Sequence, residues 1–294
     1  MVIIGKYVGG RMGILYVVAT PIGNLSDITS RAIDTLKEVD YILCEDTRTS
    51  LKLLNHFDIK QKLVSYHKFN ENERVDSILS DLKNGINIAV ISDAGTPCIN
   101  DPGEVIVRAC RNNNVPVFGI GGISACITAL SISGLDTSSF TFYGFFPREK
   151  KDQNKLIEEI KSSKVNTYIF YESPKRIIKT LEVLNANFLN LKISVSKELT
   201  KLHEKNYYGN ISDVLEMIKN DDKSSVGEYT FVIEKDSFVK EEVSCSIEAM
   251  LVDIVVKNNC TLKEAVDILN KENSSLSKKE IYNASLNLKD MFNK

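Results

Sequence analysis

The chain has 294 residues, of which 43% are hydrophobic and 26% are charged, and these values exclude a disordered, collagenous or simple coiled-coil protein. Its length indicates two domains of ordinary size with room for a small third unit. The formal net charge of −2 argues against a protein that coats nucleic acid through charge alone.

Residues 1–12 are predicted to form a tail, and Met12 is an alternative translation start. Along residues 13–139, hydrophobic runs typical of strands alternate with segments of helical periodicity. The expected strands are Ile14–Thr20, Tyr41–Cys44, Leu63–Ser65, Ile86–Ser92 and Val115–Ile120. The expected helices are Thr29–Val39, Leu51–Phe57, Val75–Leu82, Glu104–Arg111 and Ala125–Ser133. Five such units in succession predict an N-terminal α/β domain with a mostly parallel sheet.

Five loops follow the predicted strands, beginning at Pro21, Glu45, Tyr66, Asp93 and Gly121. Parallel strands place these loops at one edge of the sheet, where ligands bind in α/β folds. The loops also hold much of the unusual polar and glycine chemistry of the chain. We therefore expect the functional site at this edge.

Residues 140–238 predict a second α/β domain, and residues 244–294 predict a small helical C-terminal unit. The strand candidates are Thr141–Phe145, Thr167–Tyr171, Lys192–Ser196 and Tyr229–Glu234, with helices near 152–161, 175–184 and 211–219. In the C-terminal unit, Thr261 with Glu264 and Ser277 with Glu280 predict capping boxes. Seven lysines balance seven acids there, which disfavours a DNA-reading role and leaves packing, dimerisation or RNA contact open.

Apolar runs and cysteine spacing exclude two further classes of protein. The longest apolar run near the start is the six-residue segment Ile14–Ala19, whereas a membrane-spanning helix needs about 20 residues. We therefore expect a cytoplasmic protein without a membrane partner. No two of the six cysteines are closer than 12 residues and the chain has three histidines, so we expect no metal site.

Residues 119–126 nearly match two glycine motifs of other enzymes. A dinucleotide fingerprint would need an acidic residue about 20 positions further on, and none stands there. A serine hydrolase would need an acid and then a histidine downstream of Ser124, and His203 is the only histidine that follows it. The glycines instead indicate that a ligand or a helix approaches the backbone closely.

A series of motifs resembles the ribosomal RNA small subunit methyltransferase I family, within the tetrapyrrole methylase superfamily. The motifs are YVVATPIGNLSD at 16–27, EDTR at 45–48, SDAGTP at 92–97 with DPG at 101–103, TALSISGL at 128–135, YGFFP at 143–147, FYESPKR at 170–176, ELTK at 198–201 with Glu204, and Gly227 with Glu228. Each motif alone is weak, but eight in this order are specific. The resemblance covers residues 13–234 and continues more loosely through the C-terminal helices.

The resemblance implies a class III methyltransferase fold, in which two α/β domains hold S-adenosylmethionine in a cleft between them. It implies 2′-O-methylation of a cytidine ribose in the decoding region of 16S rRNA, in the small ribosomal subunit, by a homodimer. The implied cofactor-binding residues are Pro21, Gly23, Asn24, Ser92, Asp93, Ala94, Gly95, Thr96, Gly121, Gly122, Ser124 and Ala125. The implied catalytic residues, on the substrate side, are Glu45, Asp46, Arg48, His67, Lys197 and Glu198.

Positive charge is concentrated in residues 146–205, which hold 13 Lys/Arg against 8 Asp/Glu and therefore carry a net charge of +5. Such a segment inside an acidic chain is compatible with a local face that contacts RNA phosphates. The candidate RNA-binding residues are Arg148, Lys150, Lys151, Lys175, Arg176 and Lys201.

Methylation of a ribose hydroxyl needs a base or a stabilised alkoxide, because the hydroxyl is a poor acid. Among the implied residues, the candidate bases are His67, three carboxylates (Glu45, Asp46 and Glu198) and Lys197. A lysine acts as a base only when its pKa is depressed by burial or by neighbouring cations. The sequence alone does not identify which of these five residues is the base.

Two other functions stay open at this point. A methyltransferase of the same fold can act on a small tetrapyrrole-type molecule, because fold alone does not fix the substrate. The second alternative is an RNA-binding relative that has lost catalytic activity, and the only sequence feature that favours it is the loop Gly121–Ser124. There the chain has Gly121 and Ile123 where the family pattern has proline and a small residue.

Overall fold

The computed structural model describes residues 12–235, 246–272 and 277–292. The predicted tail, apart from Met12, and the predicted domain boundaries at 238 and 244 lie outside the described residues. Packing divides the chain into two compact units, Met1–Asp236 and Ser237–Lys294. Within the described ranges, no helix is both long enough and apolar enough to span a membrane.

The first half of the larger unit contains five strands: β1 (Leu15–Val18), β2 (Tyr41–Cys44), β3 (Lys62–Ser65), β4 (Ile88–Val90) and β5 (Val117–Ile120). Every pairing is parallel, in the order β3-β2-β4-β1-β5. The helices that follow them are α1 (Ser30–Glu38), α2 (Thr47–His56), α3 (Glu71–Lys83), α4 (Glu104–Asn112) and α5 (Ala125–Ile132). The predicted parallel α/β sheet is confirmed.

Helices cover both faces of this sheet, so its central strands are buried throughout. All three residues of β4 are buried, and alternate residues pack on opposite sides. Ala89 belongs to the cluster that includes Leu36 of α1, whereas Ile88 and Val90 belong to the cluster that includes Leu82 of α3. This arrangement is the reason that the parallel strands appear in the sequence as continuous apolar runs.

The second half contains five strands that form a mixed sheet: β6 (Phe140–Phe145), β7 (Thr167–Glu172), β8 (Lys192–Lys197), β9 (Lys205–Asn210) and β10 (Tyr229–Glu234). Their order is β6-β7-β10-β8-β9, and only β6 and β7 run parallel. The helices are α6 (Lys150–Ser162), α7 (Ile177–Asn187) and α8 (Ile211–Lys219). The strand β9 is missing from the sequence prediction, because this polar edge strand lacks apolar alternation.

The smaller unit has three helices: α9 (Ile247–Asn258), α10 (Leu262–Glu272) and α11 (Lys278–Phe292). Both predicted capping boxes form, with the Thr261 and Ser277 backbone N–H groups donating to Glu264 and Glu280 over 2.8 and 2.9 Å. Leu251 is fully buried among the helices of this unit. The division of the larger unit into domains 13–139 and 140–238 stays a prediction.

Candidate functional site

Loops that follow three strands of the parallel sheet meet at its carboxyl edge. Thr20, after β1, and Gly95, after β4, form an antiparallel bridge with N···O distances of 2.8 and 3.1 Å. The Asp46 backbone N–H, after β2, donates to Asp93 Oδ1 over 3.2 Å. The structure therefore brings these predicted site segments into direct contact.

A cavity of about 310 Å³ lies among these loops. Its lining consists of Pro21, Ile22, Gly23, Leu25, Thr49, Ser50, Lys52, Leu53, Ser92, Asp93, Ala94, Lys201 and Glu228. Five residues predicted to bind the cofactor line this one cavity. Lys201 and Glu228 reach it from the second half of the unit, from the loops after β8 and before β10.

The cavity wall includes a buried hydroxyl without a partner among the described residues and a glycine with a positive φ. Ser50 is 2% exposed, and its Oγ has no hydrogen-bond partner among the residues that the structure describes. A buried polar group without a partner costs about 1–3 kcal/mol, so a polar ligand atom would stabilise it. Gly23 has φ of +145°, a conformation that favours glycine. These residues fit a nucleoside-type cofactor.

The other predicted cofactor residues are outside the lining of this cavity: Asn24, Gly95, Thr96, Gly121, Gly122, Ser124 and Ala125. Gly121 faces open space, since an added Cβ would meet no atom within 4 Å. At Gly122 an added Cβ would lie 2.9 Å from the Ala19 Cβ, so close packing on β1 requires glycine there. A role of this loop in cofactor binding stays a prediction.

Lys201 lies across the backbone of Gly23. A Cβ on Gly23 would be 2.4 Å from Lys201 Cε and 2.6 Å from its Cγ. Lys201 Nζ donates to Glu198 Oε1 over 2.8 Å and to Glu228 Oε2 over 3.0 Å. Two carboxylates therefore neutralise the ammonium at the cavity wall. The contact of Lys201 with RNA phosphates stays a prediction, and these two ion pairs disfavour it.

Three carboxyl groups at this edge of the sheet influence one another through their charges: Glu45 after β2, and Asp93 and Asp101 after β4. Burial, together with the charges of Glu45 and Asp93, raises the pKa of Asp101 to about 6. Burial and the charge of Asp93 also raise the pKa of Glu45. A carboxyl that ionises near neutral pH is suited to general base catalysis. Sequence reasoning identified the motif that contains Asp101 but did not name Asp101 as a candidate base.

Asp46 and Arg48 form a local pair at the start of α2. The Asp46 side chain accepts from the Arg48 backbone N–H over 2.8 Å and from its guanidinium over 2.7 Å. These bonds lower the pKa of Asp46 to about 2. Asp46 therefore caps α2, and its carboxylate is a weak base. Its partner Arg48 is an exposed cation.

Lys197 and Glu198 are also engaged with other protein groups. Lys197 is buried, and its Nζ donates to Asp221 Oδ2 over 2.9 Å and to the Lys223 carbonyl oxygen. It lines a different cavity, of about 790 Å³. Hydrogen bonding to Lys201 lowers the pKa of Glu198 even though burial opposes it. Neither residue therefore has the properties of a general base.

His67 lies in the turn after β3. Its backbone N–H donates to Asn70 Oδ1 over 2.8 Å, and its Nδ1 is buried with no partner in the described part of the chain. The imidazole of His67 lies near enough to the Glu45 carboxyl to influence the pKa of that carboxyl.

Four of the predicted RNA-binding cations are exposed: Arg148, Lys150, Lys151 and Lys175. None of the four forms an ion pair with another described residue. Arg176 differs, because its guanidinium lies 3.3 Å from the buried carboxylate of Glu172 and donates to the carbonyls of Phe146 and Pro147. The structure therefore gives Arg176 an internal role. Within the described residues, no cluster of His, Cys, Asp and Glu is arranged to hold a metal ion.

Comparison with known proteins gives consistent matches. Residues 14–215 match the family model of tetrapyrrole (corrin/porphyrin) methylases. A protein from Halalkalibacterium halodurans, named ribosomal RNA small subunit methyltransferase I, is 46% identical over 222 residues, which are 76% of this chain and 76% of that protein. A protein of the same name from Synechocystis sp. is 37% identical over 285 residues, covering 94% of this chain and 99% of its own length.

Solved structures share the fold at low sequence identity. Uroporphyrin-III-C-methyltransferase from Thermus thermophilus superposes with a TM-score of 0.51 and 17% identity, covering 76% of this chain and 94% of that chain. Diphthine synthase superposes with a TM-score of 0.57 and 11% identity, covering 76% of this chain and 89% of its own. At these identities the likeness concerns the fold alone.

Proposed function

Because this chain belongs to the tetrapyrrole (corrin/porphyrin) methylase family and, within it, to the ribosomal RNA small subunit methyltransferase I family, we propose that it methylates RNA of the small ribosomal subunit. Its fold is that of the class III methyltransferases. The methyl donor is S-adenosylmethionine. The observation that carries the proposal is the cavity at the carboxyl edge of the parallel sheet, beside a carboxyl that ionises near neutral pH.

The chain's own residues supply binding and orientation. The backbone of Pro21–Gly23 and of Ser92–Ala94 would hold the cofactor, with the Ser50 hydroxyl as an additional hydrogen-bonding group. S-adenosylmethionine supplies an electrophilic methyl carbon on its sulfonium, so the reaction asks the protein mainly for alignment. Alignment of two reactants in a fixed site contributes several kcal/mol.

The acceptor is the 2′-hydroxyl of a cytidine ribose, and Asp101 accepts its proton. Asp101 is the described carboxyl with a pKa near 6, and Glu45 helps to raise that pKa. Asp46 and Glu198 have lowered pKa values, so their carboxylates are poorer bases. Lys197 is buried in an ion pair away from this cavity.

The RNA substrate contacts the exposed cations just before and at the start of α6 and the exposed cation of the segment after β7. Arg148, Lys150 and Lys151 lie together in sequence, and Lys175 is also exposed. Phosphate contacts of this kind position a nucleic acid without reading its sequence. The target is a folded site in 16S rRNA, which is recognised through shape and ribose hydroxyls as well as charge.

We also propose that the active form is a homodimer. Supporting this are the exposed apolar side chains of Ile127 and Ile132 on α5 and of Phe118 on the edge strand β5. Edge strands and apolar surface of this kind are commonly covered by a partner. Sedimentation at micromolar concentration should give twice the chain mass of 32.9 kDa. A species of single-chain mass under these conditions would contradict the dimer.

Methyl transfer with a labelled donor tests the proposed activity. We expect transfer to assembled small subunits or to 16S rRNA, with a chelator present throughout, and none to a tetrapyrrole. A target with deoxycytidine at the methylated position should accept no methyl group, because the nucleophilic hydroxyl is absent. Full transfer to the deoxy target would contradict the 2′-O assignment, and transfer to the tetrapyrrole alone would contradict the RNA assignment.

Gly23→Ala should weaken cofactor binding by about tenfold. The added Cβ would displace Lys201, and the φ of +145° would strain a non-glycine residue by about 1–3 kcal/mol. Calorimetric titration with S-adenosylhomocysteine measures the effect, and Gly119→Ala is the control because its Cβ would meet no atom within 4 Å. Equal affinities of the two variants would show that the Gly23 loop is not a cofactor-binding element.

A further inference from the structure

Phe69 is an aromatic side chain held almost entirely in solvent, with 94% of its surface exposed. It lies in the turn between β3 and α3, at the carboxyl edge of the parallel sheet where the proposed active site lies. An aromatic ring is among the largest apolar groups, and it gains stability mainly by contact with another surface. The fold gives this ring almost no such contact.

The turn that carries Phe69 is fixed by hydrogen bonds between residues that precede Phe69 in the sequence and residues that follow it. Asn70 Oδ1 accepts from the His67 backbone N–H over 2.8 Å, and Asn70 Nδ2 donates to the Ser65 carbonyl over 3.3 Å. The backbone N–H groups of Asn70 and Glu71 both donate to the His67 carbonyl over 3.0 Å. A rigid aromatic loses little conformational freedom on binding, so it presents a ready-made contact surface.

The neighbours of Phe69 connect it with the proposed catalytic groups. Its ring centroid lies 6.1 Å from that of His67, in an edge-to-face arrangement. His67 and Lys68 both lie near enough to Glu45 to influence the pKa of its carboxyl. Lys68, the residue before Phe69 in the sequence, is an exposed cation.

We propose that Phe69 is a stacking platform for a nucleobase of the single-stranded RNA segment that carries the target ribose. Proteins that recognise unpaired RNA stack bases on exposed aromatic side chains and contact the adjacent phosphates with cations. Phe69 supplies the ring, and Lys68 supplies the cation. This inference rests on the proposed RNA substrate and adds a specific contact to it.

Truncation of the ring tests the contact. Phe69→Ala should weaken binding of a 16S rRNA fragment by between about 5-fold and 150-fold, the range measured for loss of one base–aromatic stack. Affinity for S-adenosylhomocysteine and the melting temperature should be unchanged, because the ring packs against almost nothing. Leu189→Ala is the matched control, since Leu189 is 93% exposed and lies between α7 and β8. Equal RNA affinity of Phe69→Ala and the wild type would overturn the inference.

Tryptophan fluorescence gives an independent measurement, because the chain contains no tryptophan. Phe69→Trp should retain RNA binding, and its emission should be quenched when RNA binds, whereas Leu189→Trp should show no quenching. Unchanged emission of Phe69→Trp while anisotropy of labelled RNA reports binding would overturn the stacking contact. A wild-type protein that neither binds nor methylates RNA would overturn the proposed function and this inference together. Normal methylation by Phe69→Ala with unchanged RNA affinity would overturn the inference alone.

Discussion

Asp101→Asn is expected to lower the rate of methyl transfer by about 10²- to 10⁴-fold, the usual contribution of a general base. The amide has nearly the shape of the carboxyl but does not take the proton of the ribose hydroxyl. Affinity for S-adenosylhomocysteine should stay within about twofold, because Asp101 is outside the lining of the cofactor cavity. Single-turnover transfer to a saturating RNA substrate measures the effect directly.

The pH dependence of the wild-type rate provides a second measurement of the same group. The pKa of Asp101 is about 6, so the fraction of ionised base, and with it the rate, should rise with pH through about 6 and then level off. Glu45→Gln removes one of the charges that raise this pKa, so the rising part of the profile should move to lower pH. Ser92, Asp93 and Lys68 also act on the pKa of the Asp101 carboxyl.

Stability should change in the opposite direction to activity. Folding raises the pKa of Asp101 from 3.8 to about 6, so the folded protein binds more protons between these values and loses stability as pH rises across them. At neutral pH, Asp101→Asn removes the destabilising charge. With allowance for solvent screening, we expect the free energy of unfolding to increase by about 1–2 kcal/mol. Thermal unfolding at pH 7 would show a higher melting temperature.

Asp46→Asn is the matched control for Asp101→Asn. Asp46 lies in the same group of loops, but its pKa is lowered and its carboxylate caps α2. Asparagine also caps helices well, so stability should change little. The pH profile should stay at its wild-type position. Retained activity in Asp101→Asn, combined with loss of activity in Glu45→Gln, would assign the proton acceptor to Glu45 instead.

Periodicity and strand-end motifs were sufficient to predict the parallel sheet and the edge at which its loops meet. In a parallel sheet both faces are buried, so apolar runs such as the one that contains Ile88–Val90 mark the strands directly. The strand β9, Lys205–Asn210, gave no such signal. It is an edge strand whose residues are mostly exposed, and its pairing with β8 depends on the backbone rather than on apolar side chains.

The properties of individual site residues were less predictable, because they depend on groups that are distant in sequence. The pKa of Asp101 reflects Glu45, which lies 56 positions earlier, as well as burial. Lys201 is a cation in a net positive segment and so looks like an RNA-contacting residue in the sequence. In the fold its side chain packs on Gly23, and two carboxylates neutralise its charge. Only those cations of the positive segment that the fold leaves exposed, such as Lys175, stay candidates for RNA contact.

Arg176→Met is expected to destabilise the protein by about 3–5 kcal/mol, the usual cost of leaving one buried charge without its partner. The Glu172 side chain is fully buried and lies 3.3 Å from the guanidinium. Thr180 Oγ1 and the Ser173 backbone N–H also donate to this carboxylate, but neither carries a compensating charge. The same guanidinium holds the carbonyls of Phe146 and Pro147, so its loss also releases the segment before α6. Chemical denaturation measures the change.

A second substitution and a neighbouring control separate this structural role from an RNA contact. Glu172→Gln in the Arg176→Met background should recover most of the lost stability, because no unpaired charge remains. The amide oxygen can accept from the Ser173 N–H while the amide NH2 donates to the Thr180 hydroxyl. Lys175→Met should leave stability unchanged, since Lys175 is exposed, and should lower the salt dependence of RNA binding by roughly 0.7–0.9 of a unit of slope. If Arg176→Met instead left the protein fully stable and weakened only RNA binding, the guanidinium would be a phosphate contact and not the partner that the buried Glu172 requires.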